Sequence, residues 1–336
     1  RNAIGNDIKE EKNMRLKKVM ATGLVAALAL STMVGCSSKK DSSDQKKIGV
    51  VQLVEHDALD ASYKGFKDGL EKAGYKDGDK IKIEYKNAQN EQSNCQTIAK
   101  QFVTDKCDLV LAIATPAAQA MANESKDIPI LVTAVTDPAD AKLVKSNKKP
   151  GTNVSGTSDL TPVAKQMNLL KELIPNAKKV AMLYCSAEAN SLYQIQLFEA
   201  ALDKDGIAYK EYAIADTNEV QSVTTAAAGE CDVLYIPTDN TLASVTETVY
   251  NVVAPAKIPV IAGEEGICNG CGVATLSISY YDLGYATGEM AYEILAEGAD
   301  ITTMDVRYAP NVTKKYNAKI CEELGITVPD DYVAIQ

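Results

Sequence analysis

Histidine occurs once in 336 residues, at position 56, and 35 basic residues stand against 45 acidic ones, for a net charge of −10. So little histidine leaves no His pair for a zinc site, and no second Cys-x-x-Cys completes a four-ligand one. The surplus of carboxylates removes the electrostatic basis for nucleic-acid binding, which needs clustered Lys and Arg. No Ser or Cys nucleophile is placed beside His56, and no glycine motif cradles a phosphate. Neither an enzyme, a metal site nor a cofactor is expected. Long apolar runs are missing as well, with one exception. Residues 19–34 carry no charge, yet they fall short of the roughly 20 residues that span a bilayer.

That exception has a context. Arg15, Lys17 and Lys18 precede the run and Met33-Val34-Gly35-Cys36 closes it, the layout of an export signal ending in a cysteine. It resembles the bacterial lipobox, which implies cleavage before Cys36 and diacylglycerol on its thiol. Two acyl chains anchor a protein stably where one is marginal. Residues 1–13 precede the natural start at Met14 and are set aside. Residues 1–35 hold six basic and three acidic residues, so the chain beyond them carries about −13. The Ser/Lys/Asp tract at 36–46 reads as the lipidated residue and a solvated tether.

Seven cysteines remain, an odd number that cannot all pair internally. Cys107, Cys185 and Cys231 lie in or beside apolar strand-like runs, where a free cysteine behaves as a small hydrophobe. Cys268-Asn269-Gly270-Cys271 sits among Gly266, Gly270 and Gly272. The glycines predict a loop carrying a local disulfide or two thiols.

From residue 46 onward, short β-rich runs alternate with longer helical ones, the pattern of an α/β fold with parallel sheets. Strands are predicted at 48–54, 81–85, 108–114 and 128–135, and again at 179–184, 209–214, 232–237 and 258–263, with helices between them. One helix is expected over about 241–254. The two rounds overlay: CDLVLAIATPAAQAM (107–121) on CDVLYIPTDNTLASV (231–245), and KKIGVVQLV on KKVAMLYCS. The chain therefore reads as two Rossmann-like lobes with open parallel sheets. The expected partition is 47–157 plus 275–300 for one lobe and 158–274 plus 301–336 for the other, joined by a hinge of several crossings.

In open α/β sheets, ligands bind beyond the carboxyl ends of the strands. If both lobes turn those ends inward, matched loops line one cleft. Thr115-Pro116-Ala117 ends a strand and opens a helix, where exposed N–H groups and the dipole favour a carboxylate; a plain N-cap by Thr115 is equally compatible. Asp239 occupies the equivalent place in the other lobe and could hold an ammonium, or simply cap its helix, with Asn240 beside it. Thr136 is a candidate hydrogen-bond donor, whereas Asp137 before Pro138 could be only a turn residue. Asn190 and Ser191 open a helix and are candidate polar contacts. Glu55 and His56 end the first strand, and Glu264 ends the last of the second round. Tyr63, Tyr193 and Tyr280 are candidates to wall an aromatic ring.

The motifs VEHDALD (54–60), IATPAAQA (113–120), TAVTDP (133–138), SDLTPV (158–163), SAEANS (186–191), PTDN (237–240) and YYDLG (280–284) together resemble the substrate-binding lipoproteins of ABC transporters of the tryptophan/aromatic amino-acid type. The resemblance covers about residues 46–310. It implies a type I periplasmic-binding-protein fold, no catalysis, and capture of tryptophan, tyrosine or phenylalanine for delivery to a membrane permease. The implied location is extracytoplasmic, on the lipid of Cys36. The stretch EEGICNGCG (264–272) departs from the usual Ser-rich loop. Another small solute such as a nucleoside or sugar, a ligand-sensing subunit, and a thiol oxidoreductase built on Cys268 and Cys271 are the competing readings.

Overall fold

A computed structural model describes residues 45–335; the expected signal segment, Cys36 and the tether up to residue 44 lie outside the described residues. The described residues form one compact unit. Its strands are β1 (Lys46–Gln52), β2 (Ile81–Asn87), β3 (Leu109–Ile113), β4 (Ile130–Val135), β5 (Val154–Ser158), β6 (Lys179–Cys185), β7 (Ala208–Ile214), β8 (Val233–Ile236), β9 (Val260–Ala262), β10 (Ala274–Ser277), β11 (Arg307–Tyr308), β12 (Thr313–Tyr316) and β13 (Val333–Ala334). They make two sheets, ordered β11-β5-β4-β3-β1-β2 and β13-β12-β10-β9-β8-β6-β7. The first is parallel throughout; in the second only the β10–β12 pairing is antiparallel.

Helices cover both faces: α1 (Asp57–Lys72), α2 (Gln92–Thr104), α3 (Thr115–Glu124), α4 (Val163–Leu173), α5 (Ala189–Asp205), α6 (Val220–Glu230), α7 (Asn240–Ala243), α8 (Thr246–Ala256), α9 (Glu265–Cys271), α10 (Tyr280–Glu297) and α11 (Ala318–Leu324). Covered on both sides, the central strands are unbroken apolar runs; every residue of β3 and β4 is buried.

The repeated Lys-Lys and Cys-Asp pairs have a structural job. The Asp108 carboxylate accepts the Lys47 N–H at 2.8 Å, and Asp232 accepts those of Lys178 and Lys179 at 2.8 and 2.9 Å. In each lobe the aspartate before one strand thus pins the start of its neighbour. The cysteine before it packs into the core.

Two expected boundaries move. Ala274–Ser277 pairs with β9 and β12, so it belongs to the second sheet rather than the first lobe. Arg307–Tyr308 pairs with β5, so it belongs to the first sheet. The chain crosses between sheets at 159–162, 278–279 and 309–312. The helix expected over 241–254 is two, α7 and α8, because Val245 leaves helical geometry between them.

Backbone contact between α1 and α10 sets one wall of the crossing region. A Cβ on Gly65 would lie 2.0 Å from the Tyr281 carbonyl oxygen, and one on Gly284 only 1.9 Å from that of Ser62. Only glycine permits this approach. It fixes the start of α1, at His56, next to the start of α10, at Tyr280.

Candidate functional site

All strands of both lobes that carry the matched loops run parallel, so their carboxyl ends gather at one seam, where the lobes touch. Gln194 of α5 donates to Thr136 Oγ1 at 3.4 Å and clasps Thr238, donating to its carbonyl at 3.3 Å and accepting its N–H at 3.1 Å. His56 Nε2 lies 3.2 Å from Asn240 Oδ1, and Asn90 donates to Thr241 Oγ1 at 3.1 Å. Between these contacts lies a narrow cavity of about 10 Å³, lined among others by His56, Asp159, Thr238, Asp239, Glu264 and Tyr280. That is room for about one water. A second cavity of about 470 Å³ opens on the hinge flank and shares Ala58, Glu264 and Tyr280 with the first.

The second lobe's carboxylates are tied into their own lobe. Asp239 Oδ2 accepts the Cys185 N–H at 2.6 Å and the Ser191 hydroxyl at 2.7 Å, while Oδ1 accepts the Leu242 N–H at 2.9 Å. It is the N-cap of α7, the plainer of the two roles its sequence allowed. Glu188 accepts from Asn190 Nδ2, from the N–H and side chain of Asn240, and from the N–H and hydroxyl of Thr241, at 2.6–3.1 Å. Glu264 caps α9 through the N–H groups of Gly266 and Ile267. Burial, with Glu188 nearby, pushes the Asp239 carboxyl up; burial raises that of Glu264 to about 7.

The first lobe, the first crossing and, in the second lobe, Asn190 contribute groups with spare capacity. Asp159, on the first crossing, is buried and accepts the Tyr280 hydroxyl at 2.8 Å through Oδ2, but its Oδ1 has no partner. Burial raises its carboxyl against the pull of Tyr280 and Thr136. His56 is pushed down by burial, against its hydrogen bond to Asn240 Oδ1, and its Nδ1 is unpartnered. Gln52 Oε1 at the end of β1, Thr115 Oγ1 at the start of α3 and Asn190 Oδ1 at the start of α5 are likewise buried without partners. Five of the seven such atoms among the described residues sit at strand ends or crossings on this seam. Unpaired buried polar atoms cost free energy, and native proteins keep few without a reason. Ala114 and Ala134, at the seam ends of β3 and β4, adopt φ of +81° and +53°, the kind of backbone strain that gathers at functional sites.

The remaining candidates fall into place around this. Pro116 and Ala117 are buried in the first turn of α3; Pro116 has no N–H and that of Ala118 is bonded to Ala114 O, which leaves the N–H groups of Thr115 and Ala117 free of an intrahelical partner. Asp137 makes a local turn, accepting from Ala139 N, Asp140 N and Asn147 Nδ2, the plainer of its two readings. Glu55 is exposed. Tyr280 lines the cavity, and Tyr193 faces Asp137 across the seam, its phenol raised by burial and by that charge. Tyr63 stacks on Tyr85 instead, with ring centroids 4.8 Å apart.

The loop expected around Cys268 and Cys271 is a correction. These residues form α9, and both thiols are free, fully buried and pushed far up by that burial. Gly270 and Gly272 serve close packing: a Cβ there would meet Thr246 Oγ1 at 2.1 Å and Cys268 Cα at 2.8 Å. A thiolate is the reactive form, so redox chemistry finds no support here. Sequence reading missed Asp159, Gln194, Gln52 and Asn90. Of these only Asp159 lay inside a motif that carries the family resemblance, SDLTPV.

A family described as ABC transporter substrate binding protein matches residues 47–335. A "Tyrosine-binding protein" of Clostridioides difficile strain R20291 is 44% identical over 308 residues, which is 87% of this chain and 89% of that protein. The structure resembles that of an ABC domain from Streptococcus pneumonia in complex with L-Trp, at TM-score 0.82 and 42% identity, covering 85% of this chain and 96% of that one. The ligand-free, open structure of a substrate-binding protein with adhesive properties from Clostridium difficile is 45% identical, covering 87% of this chain and 100% of that one, yet its TM-score is 0.66. The arrangement of the lobes here thus lies nearer the L-Trp complex than the open form. A Bacillus halodurans solute-binding protein with bound myo-inositol, 15% identical at TM-score 0.58, shares the fold alone.

Proposed function

The chain belongs to the family of ABC transporter substrate-binding proteins, and on that premise we propose that it captures an aromatic amino acid at the seam, outside the cytoplasm, for a membrane permease. The observation that carries this is the set of orphaned buried atoms. A zwitterion needs acceptors for its ammonium and donors for its carboxylate, and the seam offers both. Asp159 Oδ1, Asn190 Oδ1 and Gln52 Oε1 accept; the Thr115 hydroxyl and the first N–H groups of α3 donate. In this reading Asp159, not Asp239, is the ammonium's counter-charge, since both oxygens of Asp239 are already used. Thr136, Asn240 and His56 border the ligand, and Ser191 and Glu264 act behind it.

The hinge-flank cavity gives an aromatic side chain somewhere to go, along Tyr280, Ala58, Ala61 and Ile278. Burying such a ring removes roughly 150–250 Å² from water, about 4–6 kcal/mol at 25 cal/mol per Å². A neutral sugar or nucleoside would leave Asp159 without a cation. Tyrosine, the ligand in the relative's name, and tryptophan, that of the structural neighbour, both suit this chemistry. The anchor at Cys36 is part of the same proposal. Calorimetric titration with the twenty amino acids tests it: heat is expected with tryptophan, tyrosine or phenylalanine, and silence from all three overturns the assignment.

A further inference from the structure

The neighbours of the unpartnered atoms on the seam fix which of them accept. Gln52 spends its Nε2 on the Val54 carbonyl and the Asp60 carboxylate, at 2.9 and 2.7 Å, so the atom left over is an oxygen. Asn190 likewise gives its Nδ2 to Glu188 and to the Thr238 carbonyl, both at 3.0 Å. Turning either amide round would set oxygen against oxygen. His56 is settled at one remove. Asn240 donates through Nδ2 to Glu188 Oε2 at 2.6 Å, which leaves its Oδ1 for His56 Nε2, 3.2 Å away. An amide oxygen only accepts, so Nε2 carries the hydrogen. Burial keeps the ring neutral, against that hydrogen bond and the charges of Glu188, Asp60 and Asp57. The unpartnered Nδ1 is therefore a bare lone pair.

Free acceptors on the seam thus number four: Gln52 Oε1, His56 Nδ1, Asp159 Oδ1 and Asn190 Oδ1. A ligand ammonium has three hydrogens and a carboxylate has none, so one acceptor is left over. On the premise of an amino acid at the seam, we propose that His56 Nδ1 is that acceptor and takes a hydrogen from the ligand's side chain. The indole N–H of tryptophan and the phenol O–H of tyrosine both supply one; phenylalanine has none and is selected against. Position singles out His56 among the four. Asp57 and Ala58, next to it in the chain, line the hinge-flank cavity that takes the ring, whereas Gln52, Asp159 and Asn190 do not. A ligand without the donor leaves the buried lone pair unpaired, the kind of mismatch by which a hydrogen-bonding site rejects an analogue. Asn240 and Glu188 are positioning residues here. They belong to the second lobe, so the tautomer is fixed only while the lobes are together, and the side chain is read at closure.

His56 is the single histidine of the chain, so 15N NMR of the imidazole reads one ring and needs no variant. In the protein saturated with tyrosine or tryptophan, Nε2 should carry the hydrogen and the Nδ1 signal should be that of a nitrogen accepting one. Calorimetry then compares two pairs that differ in the donor: tyrosine with phenylalanine, and tryptophan with its benzothiophene analogue. A preference of at least about tenfold for the donor is expected in a pair that binds, shrinking to within about threefold in His56→Leu. Losing the contact to Asn240 weakens both members of a pair alike, so the ratio reports the reading of the side chain and not the closing of the lobes. A ring with its hydrogen on Nδ1, no preference in either pair, or a preference that survives His56→Leu overturns the proposal. Silence from all four compounds fails the amino-acid reading and this proposal with it, whereas binding without preference fails this proposal alone.

Discussion

Thr115 and Asp239 stand at sister positions, each where a strand of its lobe gives way to a helix facing the seam, yet they are in opposite states. Asp239 makes three hydrogen bonds inside its lobe, and the Thr115 hydroxyl makes none. The contrast extends to their neighbours. Glu188 and Glu264 of the second lobe are saturated by backbone and side-chain donors, while Asp159 on the crossing and His56 of the first keep one atom each unpaired. The second lobe's carboxylates are spent on its own scaffold, Asn190 Oδ1 being its one unpaired atom on the seam; the first lobe and the crossing hold more capacity in reserve. Similar topology thus fixes where a group stands, whereas its hydrogen-bond partners decide whether it can serve a ligand.

The sharpest way to break this comparison is to exchange the roles of the two aspartates. Asp159→Asn removes the proposed counter-charge but leaves an oxygen to accept from Tyr280, so the fold should persist. Truncating one side of a buried, hydrogen-bonded charge pair costs about 2–5 kcal/mol, so titration should show affinity for the aromatic ligand down by at least about thirtyfold. Asp239→Ala should do the reverse. It strands the N–H groups of Cys185 and Leu242 and the Ser191 hydroxyl, a loss of about 2–4 kcal/mol in stability, read as a lowered Tm. If Asp159→Asn proves the more unstable and Asp239→Ala the poorer binder, the assignment of charge to Asp159 fails.

Such roles explain what could and could not be read beforehand. The two-lobed architecture was legible because β1, β3, β4, β6 and β8 are apolar runs, and because Lys-Lys and Cys-Asp recur where one aspartate must pin a neighbouring strand. The seam loops were legible for a related reason: parallel strands deliver all their exits to one side. Asp159 escaped attention because it lies on a crossing, which has no sister copy to compare. Its importance comes from a tyrosine 121 residues away. The α9 helix escaped because three glycines in seven residues read as a loop, when two of them are there to let Thr246 and Cys268 approach. β5 and β10 to β13 went unseen for want of length or apolar pattern.

Titration sharpens the contrast between reserve and saturation. Burial raises the carboxyls of Asp239 and Glu264, the latter to about 7, so the folded state holds protons that the unfolded chain has already released near pH 4. Stability from these groups is therefore present at acid pH and lost as pH climbs through their folded values. His56, lowered by burial, works oppositely below its ordinary value of 6.5. The window from about pH 6.5 to 8 isolates the carboxyls. Across it stability should fall by about 1–3 kcal/mol, followed as Tm against pH, and Glu264→Gln should flatten the slope. A Tm that rises over that window would show that these carboxyls are not held neutral.

The smallest effect is the most discriminating. Thr115→Val keeps the β-branched shape and deletes a hydroxyl that bonds to nothing in the protein. Removing an unsatisfied buried polar group should cost no stability and can add some. If the hydroxyl instead awaits a ligand carboxylate, affinity should drop by about 1 kcal/mol, roughly fivefold, with Tm equal to or above that of the parent chain. A structural cap would show the opposite signature, with Tm lowered and affinity kept. The signs of the two changes, more than their sizes, decide whether α3 begins at a binding site or merely begins.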